Sequence, residues 1–135
     1  MLDILCNLLG AAFLLPLGMA LGSFFELAAD RLPRGESLIW PPSHCRICSH
    51  RLTVDELIPV ISYLAQRGRC GACDSPIGRG VPIREGLSGS ALAVPWLITG
   101  CAHPRGSLAA GVALLLLVWL AFVLRRAATS RGDVH

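Results

Sequence analysis

The stretch that decides the fold reads Cys45-Arg46-Ile47-Cys48, then twenty-one residues, then Cys70-Gly71-Ala72-Cys73. Two C-x-x-C pairs at this spacing are typical of a structural zinc site, in which each pair forms a tight turn and four thiolates surround one tetrahedral ion. The alternatives are two disulfides, an iron site or free thiols. The choice depends on whether the segment lies in a reducing or an oxidising compartment.

The composition is that of a small membrane protein. The chain has 135 residues, of which 53% are hydrophobic, and its mean hydropathy of +0.59 is high for a soluble domain. All 12 basic residues are arginine, and the net charge is +3. These values favour a membrane environment, and we expect no nucleic-acid partner.

Three apolar runs predict three transmembrane helices. They cover Ile4–Phe25, Leu87–Ala102 and Leu108–Leu124, and about 20 apolar residues suffice to span a bilayer. A cleavable signal peptide is the alternative for the first run, which however lacks a basic start and a small-x-small cleavage site. We therefore expect an α-helical integral membrane protein in four parts: a first transmembrane helix (1–29), a zinc-ribbon-like four-cysteine domain (30–85), the second and third transmembrane helices (86–124) and a basic tail (125–135).

The arginines predict the orientation of these spans. The 30–85 segment and the tail together hold 11 of the 12 arginines, whereas Arg105 alone falls on the other side. By the positive-inside rule the four-cysteine domain and the C-terminus are cytoplasmic, and the N-terminus lies outside. The four thiols are then in a reducing compartment, which favours a metal over disulfides.

Four thiolates would close the coordination of a zinc ion, so the metal would stabilise the loop and perform no chemistry. His44 and His50 flank the first pair and could replace a thiolate, although four cysteines already satisfy the ion and solvent-facing histidines are the favoured interpretation. Cys6 and Cys101 lie in or beside apolar runs, and we interpret them as small buried hydrophobic residues.

A helix is predicted between the two cysteine pairs, over Thr53–Gly68. Thr53 and Glu56 have the spacing of a capping box. Pro59 would then lie in mid-helix, and the alternative is a helix that starts at Pro59. Gly68 would end the helix in the left-handed conformation.

The order of motifs from Gly22 to Glu85 resembles the N-terminal half of the type IV prepilin peptidases, the bifunctional leader peptidase/N-methyltransferases of the aspartic peptidase class. The resemblance rests on these segments: Leu21-Gly22-Ser23-Phe24, Arg31-Leu32-Pro33, the two cysteine pairs, Leu57-Ile58-Pro59, Ser62-Tyr63-Leu64, Arg67-Gly68-Arg69, and Pro76-Ile77 followed by Pro82 and Glu85.

The resemblance implies a bacterial inner-membrane enzyme whose cytoplasmic zinc domain follows the first span. Members of this family remove the leader of type IV prepilins or pseudopilins and methylate the new N-terminal amine with S-adenosylmethionine. The glycine before the third cysteine, here Gly68, belongs in the family to methyl transfer. Glu26 takes the place of a usual asparagine, and this carboxylate near the membrane interface is either functional or reaches toward Arg31.

The resemblance stops at the peptidase centre. Such a protease needs two carboxylates that share a site, and the family places two aspartates beyond the third span, one of them in Gly-x-Gly-Asp. Here that span is followed by Arg125-Arg126-Ala127, and no Gly-x-Gly-Asp occurs. We predict the N-methyltransferase-associated half, or one part of a split leader peptidase whose aspartates lie on a separate chain. The alternative is a non-enzymatic membrane zinc module that binds prepilins or assembly proteins of a pilus or type II secretion system.

Overall fold

The computed structural model describes the backbone of residues 1–132 and the side chains of residues 1–126. The described chain is mostly helical, as the sequence predicted. Its α-helices are α1 (Leu2–Arg31), α2 (Ile61–Ala65), α3 (Gly80–Thr99) and α4 (Pro104–Gly132), and 3-10 turns cover Leu32–Arg34 and Asp55–Leu57. Residues 133–135 of the predicted basic tail lie outside the described part of the chain.

The chain divides into two compact units. The first, here called the cysteine unit, is Met19–Gly86. The second, here called the helical unit, joins Met1–Gly18 to the chain from Leu87 onward.

Two helical segments of the described chain are long and apolar enough to cross a membrane. They are Leu2–Arg34, with an apolar window of mean hydropathy 2.1, and Pro104–Arg126, with a value of 2.6. Large apolar side chains on both are exposed, for example Phe13 at 69% and Leu116 at 60%. Helix α3 begins at Gly80, well before the predicted apolar run, and does not reach the same criterion. A third span therefore stays a prediction.

Small residues bring the helices of the helical unit together. A Cβ added to Gly18 on α1 would lie 2.6 Å from the carbonyl oxygen of Ser88 and 2.8 Å from the Cα of Gly89, both on α3. A Cβ on Gly111 of α4 would lie 3.3 Å from the carbonyl oxygen of Ala91. Glycine at these positions permits the close backbone approach that is common between membrane helices.

The helical unit contains a disulfide that the sequence analysis did not predict. Cys6 on α1 is bonded to Cys101, which follows α3, and their Cα atoms are 6.2 Å apart, within the usual range for a disulfide. The side chain of Asn7 accepts a hydrogen bond from the Cys101 N–H at 2.9 Å. The interpretation of both cysteines as small buried hydrophobic residues was therefore wrong. They are 95 positions apart in the sequence, so no local pattern indicates that they pair.

Cysteine alkylation of the denatured, chelator-treated chain checks this pairing. Without a reductant, four of the six cysteines will be labelled, and peptides containing Cys6 and Cys101 will elute as one linked species. After reduction all six will react. In the Cys6→Ser variant, Cys101 will become labelled without a reductant, whereas labelling of all six cysteines in the unreduced wild type would contradict the disulfide.

Candidate metal centre and acidic cavity

Two turns of the same construction carry the four cysteines. In each turn the residue after the second cysteine donates its N–H to the carbonyl of the first, from Ser49 to Cys45 at 3.0 Å and from Asp74 to Cys70 at 2.9 Å. Ser49 and Asp74 have positive φ angles of 59° and 57°, which lets the chain reverse tightly. Matching backbone bonds close the turns, from Cys45 to His50 (2.8 Å) and from Cys70 to Ser75 (2.9 Å).

The two turns bring four sulfurs together. The Sγ atoms of Cys45, Cys48, Cys70 and Cys73 all lie within 4.8 Å of one another. Two separations are 3.9 Å, for Cys45 and Cys73, and 4.0 Å, for Cys48 and Cys70. A zinc ion about 2.3 Å from four tetrahedral sulfurs implies sulfur–sulfur separations of about 3.8 Å, whereas a disulfide needs about 2.05 Å. The donor set therefore fits a zinc ion and does not form disulfides.

Hydrogen bonds lower the pKa values of two of these thiols and raise that of a third. The pKa of Cys45 falls from the ordinary 9.0 to about 6, chiefly because the N–H groups of Cys48 and Ile47 stabilise its thiolate. The pKa of Cys73 is lowered, chiefly by the Ser75 hydroxyl. The pKa of Cys48 rises to about 12, because contacts with the other thiols, led by Cys73, outweigh a backbone hydrogen bond that would lower it. The lowered pKa values favour the thiolate form at Cys45 and Cys73, which is the form that binds a metal.

Neither histidine beside the first turn joins the cysteines. The exposed His44 has its Nδ1 3.0 Å from the carbonyl oxygen of Pro42. His50 is half-buried, and its Nε2 lies 3.1 Å from the Oε2 of Glu56. Within the described chain, the group that could hold a metal consists of the four cysteines.

Glu56 organises the segment between the two turns. Its Oε2 accepts the N–H of Thr53 at 2.9 Å and the Thr53 hydroxyl at 3.1 Å, and its Oε1 accepts from Gln66 at 3.3 Å. The Thr53 N–H is the main reason that the pKa of Glu56 is lowered. The capping-box spacing thus predicted this contact, but the predicted Thr53–Gly68 helix is two short pieces, the 3-10 turn Asp55–Leu57 and α2.

The sequence predicted Gly68 at the first left-handed position after the helix, but it occupies the second. The residue that first takes the left-handed conformation after α2 is Arg67, with φ 55°, and Gly68 follows with φ 71°. The N–H of Gly68 donates to the carbonyl of Tyr63 at 2.8 Å, and that of Arg67 donates to Leu64 at 3.1 Å. These are the two bonds of a Schellman motif, which end the helix.

The second feature of the cysteine unit is a cavity of about 280 Å³ with an acidic lining. Its lining includes carboxylates from α1, from the 3-10 turn Asp55–Leu57 and from α3. Arg46, Tyr63 and several residues with hydroxyl or amide groups also line it. The four carboxylates are those of Glu26, Asp30, Glu56 and Glu85.

Two of these carboxylates are held by arginines. Arg84 forms an ion pair with Glu26, and Arg46 lies 2.6 Å from Asp30. Glu26 therefore faces Arg84 and not Arg31, the partner considered from the sequence. The Arg31 guanidinium instead donates to the carbonyl of Ser37 at 2.8 Å.

Glu85 is the most deeply placed of the four, because the residue is only 6% exposed. Burial raises its pKa, and the charge of Glu26 raises it further, against the opposing effect of the Val60 N–H. That N–H donates to the Oε2 of Glu85 at 2.8 Å. Glu85 precedes the predicted second span. Sequence reasoning included Glu85 among the family motifs.

Comparison with known proteins relates the chain to one family. A family model described as the bacterial peptidase A24 N-terminal domain matches residues 17–99. A prepilin leader peptidase/N-methyltransferase of Bacillus subtilis is 32% identical over 118 residues, which cover 87% of this chain and 43% of that protein. The protein of the same name from Myxococcus xanthus is 42% identical over 79 residues, covering 58% of this chain and 24% of that protein.

A third relative of that name, from Pseudomonas aeruginosa, is 30% identical over 139 residues, covering 86% of this chain and 43% of that protein. The chain therefore spans less than half the length of each of these three relatives. No solved structure matches the chain significantly.

Proposed function

Because the chain belongs to the family of the bacterial peptidase A24 N-terminal domain, we propose that it acts on the N-termini of type IV prepilins or pseudopilins and supplies the N-methyltransferase part of the activity. Its relatives are named for both leader cleavage and N-methylation. The observation that carries the proposal is the acidic cavity of the cysteine unit, because its lining suits a cationic amine.

The cavity matches what an amine methylation requires of a protein. An N-terminal amine has a pKa of about 8 and is mostly protonated at neutral pH, so the two lining carboxylates outside the arginine ion pairs, those of Glu56 and Glu85, would attract it. The amine must lose its proton before it can act as a nucleophile. Glu85 is suited to accept that proton, because burial raises its pKa and brings it closer to neutrality than that of an ordinary glutamate.

S-adenosylmethionine would supply the methyl group on a positively charged sulfonium, which the same acidic lining suits. In the proposed reaction the amine nitrogen forms a bond to the methyl carbon while the carbon–sulfur bond breaks, its electron pair stays on sulfur, and the amine proton goes to Glu85 or to water. The contribution of the protein is to bring the reacting groups together in the right orientation.

We propose a structural zinc ion at Cys45, Cys48, Cys70 and Cys73, within a cytoplasmic zinc-ribbon-like domain of residues 30–85. Its support is the sulfur geometry described above.

We further propose three spans in the inner membrane with the N-terminus outside. The two apolar helices support the membrane location, and the cysteine chemistry supports the orientation. Cys6 and Cys101 are paired, whereas the other four cysteines are free thiols. Disulfides persist in oxidising compartments and free thiols in reducing ones, so the two sets are best explained by opposite sides of the membrane.

For the leader cleavage, we propose that the two aspartates come from outside these 135 residues. The sequence contains no Gly-x-Gly-Asp. A pair of carboxylates that shares one proton is what an aspartic peptidase requires.

Intact-mass spectrometry tests the proposed function. The zinc-loaded chain is incubated with S-adenosylmethionine and either a prepilin or a pilin that already lacks its leader. We expect the mass of one methyl group to be added to the processed pilin and no loss of the leader from the prepilin. The matched control omits S-adenosylmethionine.

The other outcomes are equally informative. Leader loss catalysed by this chain would contradict the proposed external aspartates. Co-purification of prepilin with no change of mass would overturn the methyltransferase proposal in favour of a non-enzymatic zinc module that binds prepilins.

A further inference from the structure

Gly68 sits against the ring of a residue that lines the acidic cavity. A Cβ added to Gly68 would lie 2.8 Å from both Cζ and Oη of Tyr63 and 3.3 Å from its Cε2. Real Cβ contacts are longer than this, so any side chain at Gly68 would displace the ring. Gly68 is itself buried, and the atoms that an added Cβ would meet belong to the far end of the Tyr63 side chain, so the ring is the group that must move.

The backbone ties the same two residues together. The Gly68 N–H donates to the Tyr63 carbonyl at 2.8 Å. Gly68 is therefore next to both the main chain and the ring of Tyr63. At the other end of α2, Val60 has a φ of 61°, an unusual value for a β-branched residue, and its N–H is held by Glu85. The short helix that carries Tyr63 is thus fixed at both ends.

Tyr63 lies in the wall of the cavity that a cationic substrate would enter. It lines the cavity together with Glu26 and Glu85. An aromatic ring attracts a cation over its face, and the attraction strengthens when water is excluded. A ring beside carboxylates is therefore a suitable wall for an ammonium or a sulfonium group.

We propose that Gly68 is a positioning residue: because it has no side chain, the ring of Tyr63 can take its place in the lining of the acidic cavity. Tyr63 then contacts the cationic end of the substrate. The inference rests on the proposed methyl transfer and adds the residue through which Gly68 would act on it. Gly68 would touch neither the substrate nor the methyl donor.

The chain offers a matched control. Gly35 also has a left-handed φ, of 66°, but an added Cβ there would meet nothing within 4 Å. Gly35→Ala therefore introduces the backbone strain of a positive φ without the clash, whereas Gly68→Ala introduces both. Any difference between the two variants reports the contact with Tyr63.

The ring can be observed directly, because Tyr63 is the only tyrosine of the chain. The zinc-loaded 135-residue chain labelled with 3-fluorotyrosine will give one fluorine NMR signal when folded. We expect Gly68→Ala to shift or broaden that signal and Gly35→Ala to leave it unchanged, with equal zinc content in both. An unchanged signal in Gly68→Ala would overturn the proposed seating, whether or not the chain transfers methyl groups.

The kinetic arm tests the contact with substrate. We expect Tyr63→Ala to raise the KM for processed pilin, and Gly68→Ala to lower kcat/KM between about 10- and 100-fold, as expected for a misplaced group. In the Gly68→Ala/Tyr63→Ala double variant, the glycine change should add only the effect of its backbone strain to the loss from Tyr63→Ala, because the clash is gone. Additive losses would show that Gly68 acts by another route. If the wild type transfers no methyl group but Gly68→Ala still moves the fluorine signal, the proposed function fails and the seating of Tyr63 stands.

Discussion

Cys70→Ser will reduce the zinc content of the purified chain from about one ion per molecule to near zero and will unfold the segment around both cysteine turns. Cys70 is the most buried of the four cysteines at 6% exposure, and its sulfur lies 4.0 Å from that of Cys48. A serine hydroxyl does not ionise at neutral pH and is a poor ligand for zinc. Structural zinc sites contribute apparent free energies of about 10–16 kcal/mol to folding, so no single substitution in the cysteine unit outside the four cysteines should cost as much.

Elemental analysis and thermal unfolding measure the two parts of this prediction. Cys6→Ser is the control for zinc content alone, because it removes a cysteine that belongs to the disulfide of the helical unit and not to the cluster, and it should keep one zinc per chain. A chelator should reproduce the effect of Cys70→Ser in the wild type, and added zinc should reverse it. Retention of zinc by Cys70→Ser, or its loss from Cys6→Ser, would show that the cluster is not the metal site.

The features that the sequence predicted correctly are local. The four-cysteine cluster follows from two C-x-x-C turns, each closed by hydrogen bonds within six residues of chain. The contact of Glu56 with Thr53 follows from a spacing of three residues. Helix α1 follows from one continuous apolar run. In each case the residues that interact are close in the sequence or repeat a known spacing, so the pattern contains the information.

The features that the sequence left unpredicted depend on contacts between distant residues. Glu26 and Arg84 are separated by 58 positions, and Cys6 and Cys101 by 95. Hydropathy also located the start of the second apolar run at Leu87, but α3 begins at Gly80. The first turns of α3 therefore contain charged residues that a search for apolar runs misses. One of them, Glu85, lines the cavity.

The helix end at Gly68 shows how a local rule can fail by one residue. A glycine is the usual residue at the left-handed position after a helix, and Arg67 occupies that position here with a φ of 55°. Gly68 occupies the next position, where a positive φ disfavours a side chain and the ring of Tyr63 leaves no room for a Cβ. Only the packing of the ring distinguishes these two placements, and that packing is not visible in the sequence.

Glu85→Gln will lower the rate of methyl transfer to processed pilin by about 100-fold or more, the usual contribution of a general base, while leaving the fold intact. The glutamine carbonyl can still accept the Val60 N–H that Glu85 accepts at 2.8 Å, but it cannot take a proton from the amine. Glu36→Gln is the matched control, because it makes the same change on an exposed side chain and should leave the rate unchanged. Steady-state kinetics with equal zinc content in all three proteins measures the effect.

The pH dependence separates a proton acceptor from a merely structural carboxylate. Burial raises the pKa of Glu85 above its ordinary value of 4.5, so the wild-type rate should fall on acidification at a higher pH than an ordinary glutamate would give, and this limb should be absent in Glu85→Gln. Stability should change in the opposite sense. Because the folded-state pKa is raised, ionised Glu85 opposes folding at neutral pH, and this cost disappears as the pH falls toward 4.5. Glu85→Gln should therefore unfold at the same or a higher temperature than the wild type at neutral pH. A variant that is both inactive and less stable at neutral pH would assign Glu85 to the fold of the cavity and leave the amine proton to water.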